Sequence, residues 1–487
     1  MNGSFRSRYA WATLLLILLG TIFHLAYSTH LELVGDEAYH WLWSRHPDIC
    51  YLDKSPMIAW LIWAGTALFG QTVFGVRFFA VLLASGTGWA MFLLARRLFS
   101  DRAAFWALVV ASVVPLFAVG ASLMTIDTVY VFFWSWAALA FWWAKDQTRL
   151  GPWVLTGALV GLGLLSKYTA AIELLSFAAF CLWDRPCRAH FRRGTFWVMI
   201  GTALLFLLPA IIWNVRHHWP TSDWLLHRGA LDKGVSFHPG HVFSFLGEQA
   251  GIISPLLFVG LLSVFFRRSL WRAPQPATGY AAALFLPLFV LYLALSVHYF
   301  GPPNWTAAAY VGGIILLAAK WLELALAHRW ARWLAIAAMA LATVETGILL
   351  ETRWLHLSHR LDPLDRARGS RSLAGAVAQA EKSTGAQFII ADNYMTAALL
   401  SFYLPGQPET FVPTVTRPLN QLELWPTYNQ RHPVGDALIV AKRKTLVPTL
   451  RQSFPHLRLL EPVEISDGDR KVGRYYLSIG QRARHLH

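Results

Sequence analysis

The chain has 487 residues, 56% of them hydrophobic and only 14% charged, where a soluble globular chain is roughly a quarter charged. That composition excludes an ordinary water-soluble enzyme and calls for a bilayer as solvent. The net charge of +15 does not indicate nucleic-acid binding, because the basic residues fall between long apolar runs and in the C-terminal segment, as topology signals and headgroup contacts do.

In chain order, membrane spans are predicted near 10–28, 76–95, 103–122, 128–144, 151–166, 168–183, 195–213, 242–266, 277–297, 305–322 and 331–351, about eleven in all. Each approaches the roughly 20 apolar residues that a bilayer requires, or fits a tighter helical hairpin. The first, preceded by Arg6 and Arg8, reads as an uncleaved span. Basic clusters then orient the chain. Arg96, Arg97 and Arg102, then Lys145 and Arg149, then Arg185, Arg188, Arg192 and Arg193, then Arg267, Arg268 and Arg272, then Lys320, Arg329 and Arg332 all fall on the side of the N-terminus. By the positive-inside rule that side is the cytoplasm. The same assignment makes the 57–70 stretch a juxtamembrane helix on the outer interface, within one long external segment, 29–75.

The last span exits outward. Beyond it, residues 353–487 are charged, with candidate strands at 387–391, 437–441 and 473–479 and amphipathic helices at 371–382 and 444–453. The expected architecture is an α-helical polytopic membrane domain, 1–352, and a small soluble α/β domain, 353–487, in the periplasm. The protein would sit in the inner membrane. Cys50, Cys181 and Cys187 form no CxxC or zinc-type spacing, and Cys50 falls on the opposite side from the other two, so no structural disulfide is expected.

The polar residues at the outer face suggest chemistry. Asp36 and Glu37 lie in VGDEAYHWLW, Asp53 and Lys54 in YLDKSPM, Asp127 at the start of a span in LMTIDTVYVFFW, and Lys167 at an outer turn in LLSKYTAA. Arg216, His217 and His218 follow in WNVRHHW, then Asp223, His227 and Arg228. His298, Tyr299, Asn304 and Trp305 lie in VHYFGPPNW. Ionisable residues at span ends are costly unless they face water or a partner. Lysine suits a phosphate as a point charge, and a carboxylate can orient or deprotonate an acceptor hydroxyl. Together they fit an inverting displacement on a sugar held by a polyprenyl phosphate. No HExxH or comparable motif is present, and neither a metal nor a cofactor is expected. A transporter or lipid-carrier flippase is the alternative, but it would place its ionisable groups near mid-membrane.

GDEAYHWLW, YLDKSPMIAWLI, FGVR, TIDTVYVFFW, GLLSKYTA, PAIIWNVRHHW and PPNW, in this order, resemble the family 39-like bacterial membrane glycosyltransferases of the GT-C superfamily. These are relatives of protein O-mannosyltransferases and of the lipid A aminoarabinose and galacturonic acid transferases. The resemblance covers roughly residues 8–310. It implies a GT-C fold, a polyprenyl-phosphate-linked sugar donor, and an acceptor that is lipid A, another envelope glycan or a protein. It implies that Asp36 is the principal catalytic carboxylate, with Glu37 beside it and Asp127 a second acid of the cavity. It implies that Lys54 contacts the carrier phosphate and that Lys167 belongs to the phosphate surroundings. Placement alone adds Arg216 to the phosphate-binding candidates and Tyr39, Tyr51, Asp53, His217, His298 and Asn304 to the cavity wall. Where aminoarabinose transferases tend to have Asp-Glu-x-Arg-Tyr, this chain has Asp36-Glu37-Ala38-Tyr39-His40, so that particular activity does not carry over. The phosphate element reads Lys54-Ser55-Pro56 instead of the commoner Lys-Pro.

Overall fold

The structure is a computed structural model that describes residues 8–228, 237–267, 275–298, 301–355, 362–415, 417–468 and 470–481. Arg6, Arg268, Arg272, Tyr299 and the side chains of His227 and Arg228 lie outside the described residues.

The chain opens with helix α1 (Arg8–Tyr27), followed by two shorter helices, α2 (Gly35–Arg45) and α3 (Met57–Phe69). The membrane part resumes with α4 (Val73–Leu98), α5 (Asp101–Val113), the short α6 (Pro115–Gly120), α7 (Ile126–Ala144), α8 (Leu150–Leu164) and α9 (Ala171–Trp183). Side-chain caps fix where several begin. Thr72 accepts from the Gly75 N–H at α4, Ser100 from Ala103 at α5, and Thr125 from Thr128 at α7. The last of these puts Asp127 in the first turn of α7.

Six helices among the described residues are long and apolar enough to cross a membrane: Arg8–Tyr27, Val73–Leu98, Thr195–Arg216, Pro276–Ser296, Ala309–Ala327 and Arg329–Leu350. The chain is a multi-pass membrane protein. Several other expected spans are shorter or broken. The predicted span at 103–122 divides between α5 and α6 at Pro115. The predicted span at 242–266 is a pair, Gly240–Ile253 and Pro255–Phe265, bent by 113°. Pro255 cannot donate to the helical ladder, and Ser254 before it leaves helical backbone with φ 79°.

The expectation of no disulfide is corrected: Cys181 and Cys187 are bonded. The chain breaks between α9 and the helix Arg185–Arg192 at Asp184, whose carboxylate caps the second helix by accepting from the Cys187 N–H. That turn brings the two Cα atoms to 4.7 Å. Cys50 is free and buried.

The C-terminal residues build a sheet in the order β2-β1-β3-β6-β4, with β5 also on β6. The strands are β1 Phe388–Ala391, β2 Thr410–Phe411, β3 Ala437–Ala441, β4 His456–Leu459, β5 Val463–Asp467 and β6 Arg470–Gln481. β1 pairs in parallel with β2 and β3, and β6 runs antiparallel to β3 and β4. The central strands β1 and β3 are buried along their whole length.

One apolar core lies within the membrane helices. A second is shared: Leu33, Tyr39, Trp41 and Trp43 of the external segment pack with Leu373, Ile389, Leu400, Val440 and Leu477 of the C-terminal part. Gly35 permits this contact, since a Cβ there would stand 2.6 Å from the Met395 Cβ. Polar ties follow the same seam. Glu32 accepts from the Ser370 N–H (2.6 Å) at the start of the helix Ser370–Thr384, and Tyr403 Oη accepts from the Leu33 N–H (2.7 Å).

Candidate active site

A cavity of about 1690 Å³ opens where α2, the loop after it, α7 and the turn after α8 converge. Its polar end is lined by Asp36, His40, Asp53, Lys54, Asp127, Lys167 and Asn304. Its apolar arm runs between α1, α4, α5 and the helix Arg329–Leu350, past Leu16, Phe23, Met91, Leu108 and Leu349. A site with charged groups at one end and an aliphatic trough at the other suits a ligand with an anionic head and a hydrocarbon tail.

Helix α2 sorts its residues by face. Glu37 is wholly buried against Arg77 of α4, which is 1% exposed. Glu37 Oε1 accepts from Arg77 Nε (2.8 Å) and the Met124 N–H (2.8 Å); Oε2 accepts from Arg77 Nη2 (2.6 Å) and the Val34 N–H (3.1 Å). Arg77 spends its remaining donors on the carbonyls of Ser28, Leu31 and Glu32. Paired with Asp36 in the sequence reading, Glu37 does not line the cavity: its four acceptor positions are filled by the protein. Asp36, one residue earlier, does line it, and its carboxylate accepts no hydrogen bond among the described residues.

The loop after α2 is held from the C-terminal side. Tyr39 donates to Asp53 Oδ1 (3.0 Å), and its oxygen accepts from the Gln421 N–H (2.6 Å). The Gln421 side-chain carbonyl takes the Leu52 N–H (2.7 Å). Burial pushes the Asp53 carboxyl up to about 6, against the pull of Lys54 and of the Tyr39 hydrogen bond. Burial likewise raises Tyr39, with Asp53 adding to it. The Lys54 ammonium makes no hydrogen bond or ion pair among the described residues and lines the cavity.

Opposite, three membrane elements meet on Asp127. Lys167 donates to Oδ1 (2.7 Å), and Asn304 donates to Oδ2. The Lys167 ammonium also lies 5.7 Å from the rings of Tyr130 and Trp305.

The other expected wall residues are placed elsewhere. Tyr51 is buried behind the wall, stacked on Trp43 at 4.3 Å and donating to the carbonyls of Trp43 and His46. Arg216 and His217 are exposed and do not line the cavity. The chain reverses directly after them, with positive φ at His218 and Trp219, and His217 Nδ1 turns back to the Trp213 carbonyl (2.8 Å). His298 is also outside the lining. Among the described residues no group of three or more His, Cys, Asp or Glu side chains is arranged to hold a metal.

Three contributors escaped the sequence reading. Arg77 had a signal, a charge inside the apolar run VFGVRFFAV. His40 had one too, four residues after Asp36 and hence on its face. Gln421 had none, because its contact spans 382 positions.

The family model described as dolichyl-phosphate-mannose-protein mannosyltransferase matches residues 53–213. A lipid A galacturonosyltransferase, RgtD, of Rhizobium johnstonii is 27% identical over 382 residues, 76% of this chain and 77% of that one. An undecaprenyl phosphate-alpha-4-amino-4-deoxy-L-arabinose arabinosyl transferase of Pseudomonas paraeruginosa is 28% identical over 313 residues, 58% of this chain but only 54% of that one. Crystal structures of ArnT from Cupriavidus metallidurans, apo and bound to undecaprenyl phosphate, both superpose with TM-score 0.65 at 16% identity. They cover 96% and 97% of this chain and 98% of theirs, and show the same fold. The chain is a membrane glycosyltransferase similar to these proteins, with the fold of the ArnT structures. Its matches include a lipid A galacturonosyltransferase and undecaprenyl phosphate-alpha-4-amino-4-deoxy-L-arabinose arabinosyl transferases.

Proposed function

We propose that the protein transfers a sugar from a polyprenyl-phosphate carrier to a lipid-linked glycan of the lipid A type, at the periplasmic face of the inner membrane. The observation that carries this reading is the cavity's division. An open carboxylate (Asp36) and an open ammonium (Lys54) face its polar end, and an aliphatic trough leads away from them. The lipid A galacturonosyltransferase and the undecaprenyl-phosphate-dependent relatives support the substrate class.

In this mechanism Lys54 binds the carrier phosphate and balances the charge that grows on it as the bond between C1 of the sugar and the phosphate oxygen breaks. Both electrons of that bond leave with polyprenyl phosphate, which needs little protonation. Asp36 orients the acceptor hydroxyl and takes its proton as the new bond to C1 forms. Where the acceptor is itself a phosphate, Asp36 only orients and balances charge. Asp127, paired with Lys167 and hydrogen-bonded by Asn304, shapes the opposite wall. Glu37 acts through Arg77 to hold α2 in place.

The same reading divides the chain into a membrane domain, 1–352, with about eleven membrane-crossing elements counting the short and broken ones, and a periplasmic domain, 353–487. The N-terminus is then cytoplasmic. Reporter fusions after Arg97, Thr125 and Arg193 should read inside, outside and inside. A fusion within the C-terminal sheet that reads inside overturns the orientation. For the activity, purified protein is incubated with polyprenyl-phosphate sugars and release of polyprenyl phosphate is followed by mass spectrometry. Release that depends on an added lipid A-type acceptor is expected; none with any donor contradicts the function.

A further inference from the structure

Helix α2 brings a second side chain into the cavity that the proposed mechanism leaves unused. His40 lies four residues after Asp36, so the two share a helix face, and both line the cavity. The intervening residues are turned to other tasks, Glu37 to Arg77 and Tyr39 to Asp53. His40 is 2% exposed, yet neither ring nitrogen has a hydrogen-bond partner. Its ring is fixed in place, edge to face with Trp43 at 4.9 Å and tilted on Tyr39 at 5.7 Å. Buried polar atoms are matched as a rule, and on this helix Glu37 and Tyr39 follow it, with four hydrogen bonds to the Glu37 carboxylate and two through the Tyr39 hydroxyl, whereas His40 and the Trp43 Nε1 packed against it do not. A buried donor and acceptor without partners, rigidly held on a residue of the cavity lining, mark a place where a ligand supplies them.

Burial, reinforced by the charge of Lys54, holds His40 well below the ordinary imidazole value. The ring is therefore neutral near pH 7, with one N–H and one bare nitrogen. A second cation beside Lys54 would be repelled; a neutral N–H adds a directed donor without that penalty. A sugar phosphate offers both complements, non-bridging oxygens that accept and ring hydroxyls that donate.

We propose that His40 is a donor-recognition residue. Its N–H donates to a non-bridging oxygen of the carrier-linked sugar phosphate, and its bare nitrogen accepts from a hydroxyl of the same sugar. This rests on the function proposed above and adds the residue that reads sugar and phosphate together, between Asp36 and Lys54.

The test uses the full-length chain in detergent, with His40→Phe and His40→Gln. Three quantities are read: Tm of the ligand-free protein, binding of undecaprenyl phosphate by intrinsic tryptophan fluorescence, and kcat and KM for the sugar-linked donor. His40→Phe replaces two unmatched polar atoms with an apolar ring, so the ligand-free Tm should hold or rise. The same variant should bind undecaprenyl phosphate about tenfold more weakly and lose a larger factor in kcat/KM for the donor, since a second hydrogen bond goes with the sugar. His40→Gln, which keeps a donor and an acceptor, should recover part of both. A structural histidine predicts the reverse, a lower Tm with unchanged kcat/KM per folded molecule, and that result overturns the assignment. So does a change confined to the KM of the acceptor, or wild-type donor kinetics in both variants. Failure of the wild type itself to bind the carrier phosphate or to turn over any donor would instead remove the proposed function, and is told apart by that control.

Discussion

Two polar segments at the ends of membrane helices look alike as strings of residues, 33–55 and 213–228. Each mixes carboxylates, cations, histidines and tryptophans. In the structure they differ in kind. The first is largely buried apart from the exposed stretch 45–49, and many of its polar groups are matched: Glu37 by Arg77, Asp53 by Tyr39, Leu52 by Gln421. Of the groups left open, Asp36, His40 and Lys54 line one cavity. The second turns at His218 and Trp219 into the helix Pro220–Arg228, whose Trp224 and Leu225 line the cavity with apolar surface. Arg216 and His217 are exposed, and Trp213 braces the first segment by donating to Asp48 (2.9 Å). The difference teaches that charge near a membrane face does not make a site. A site is made where the fold spends hydrogen bonds on most of a buried polar cluster and withholds them from a few groups.

Substitutions can break that contrast at graded depth. The largest free-energy change is expected at Glu37→Gln, which strands the buried Arg77 guanidinium; removing one partner of a buried pair costs about 3–5 kcal/mol. A sharp fall in Tm and folded yield is expected, with the residual folded protein keeping much of its specific activity. A stable but inactive Glu37→Gln would move the chemistry to Glu37. Next comes Lys54→Ala, which should weaken donor binding and turnover by roughly tenfold to a hundredfold, the value of a hydrogen bond to a charged group. Lys54→Arg should retain more. Equal rates for Lys54→Ala and wild type at limiting donor would remove the phosphate contact.

An effect of similar size, on stability and dependent on pH, is expected at Asp53. Its folded value, about 6, lies above the ordinary 3.8, so the folded state binds the proton more tightly. The burial penalty is absent below about pH 4 and grows as pH rises through 6, reaching about 2–3 kcal/mol at most. Asp53→Asn keeps a partner for Tyr39 and carries no charge. Its Tm relative to wild type should therefore climb between pH 4 and pH 7; a flat difference would show that Asp53 titrates normally. The smallest effect is expected in the surface segment. Arg216→Ala and His217→Ala should change donor kinetics by less than about twofold, as surface substitutions do.

Much of the fold was legible because its signals are local. Apolar runs marked the helices, and QFIIA and ALIVA marked β1 and β3. What was missed depended on contacts or on local chemistry overlooked. Pro115 and Pro255 were visible breakers inside runs read as continuous. The Cys181–Cys187 bond follows from a turn at Asp184 that periodicity does not reveal. Within the site, Asp36 and Lys54 stand out by residue type and place. That Glu37 faces away from the cavity follows only once Arg77 is seen 40 positions later, on α4. The C-terminal part was read as an appendage, whereas its Gln421 clamps the loop carrying Lys54 and its strands share a core with α2. Pairing across several hundred residues leaves no periodic trace in sequence.

The central claim is that the open carboxylate of α2, and not its buried neighbour, does the chemistry. It is tested most directly by turnover of Asp36→Asn at matched levels of folded protein. The substitution removes a charge without changing shape, and no hydrogen bond to that carboxylate is lost among the described residues, so Tm should stay near wild type and undecaprenyl phosphate should still bind. Donor turnover should fall at least about a hundredfold, the low end for a positioned acid–base group. Near-normal turnover of Asp36→Asn in the assay where wild type releases polyprenyl phosphate would contradict the account.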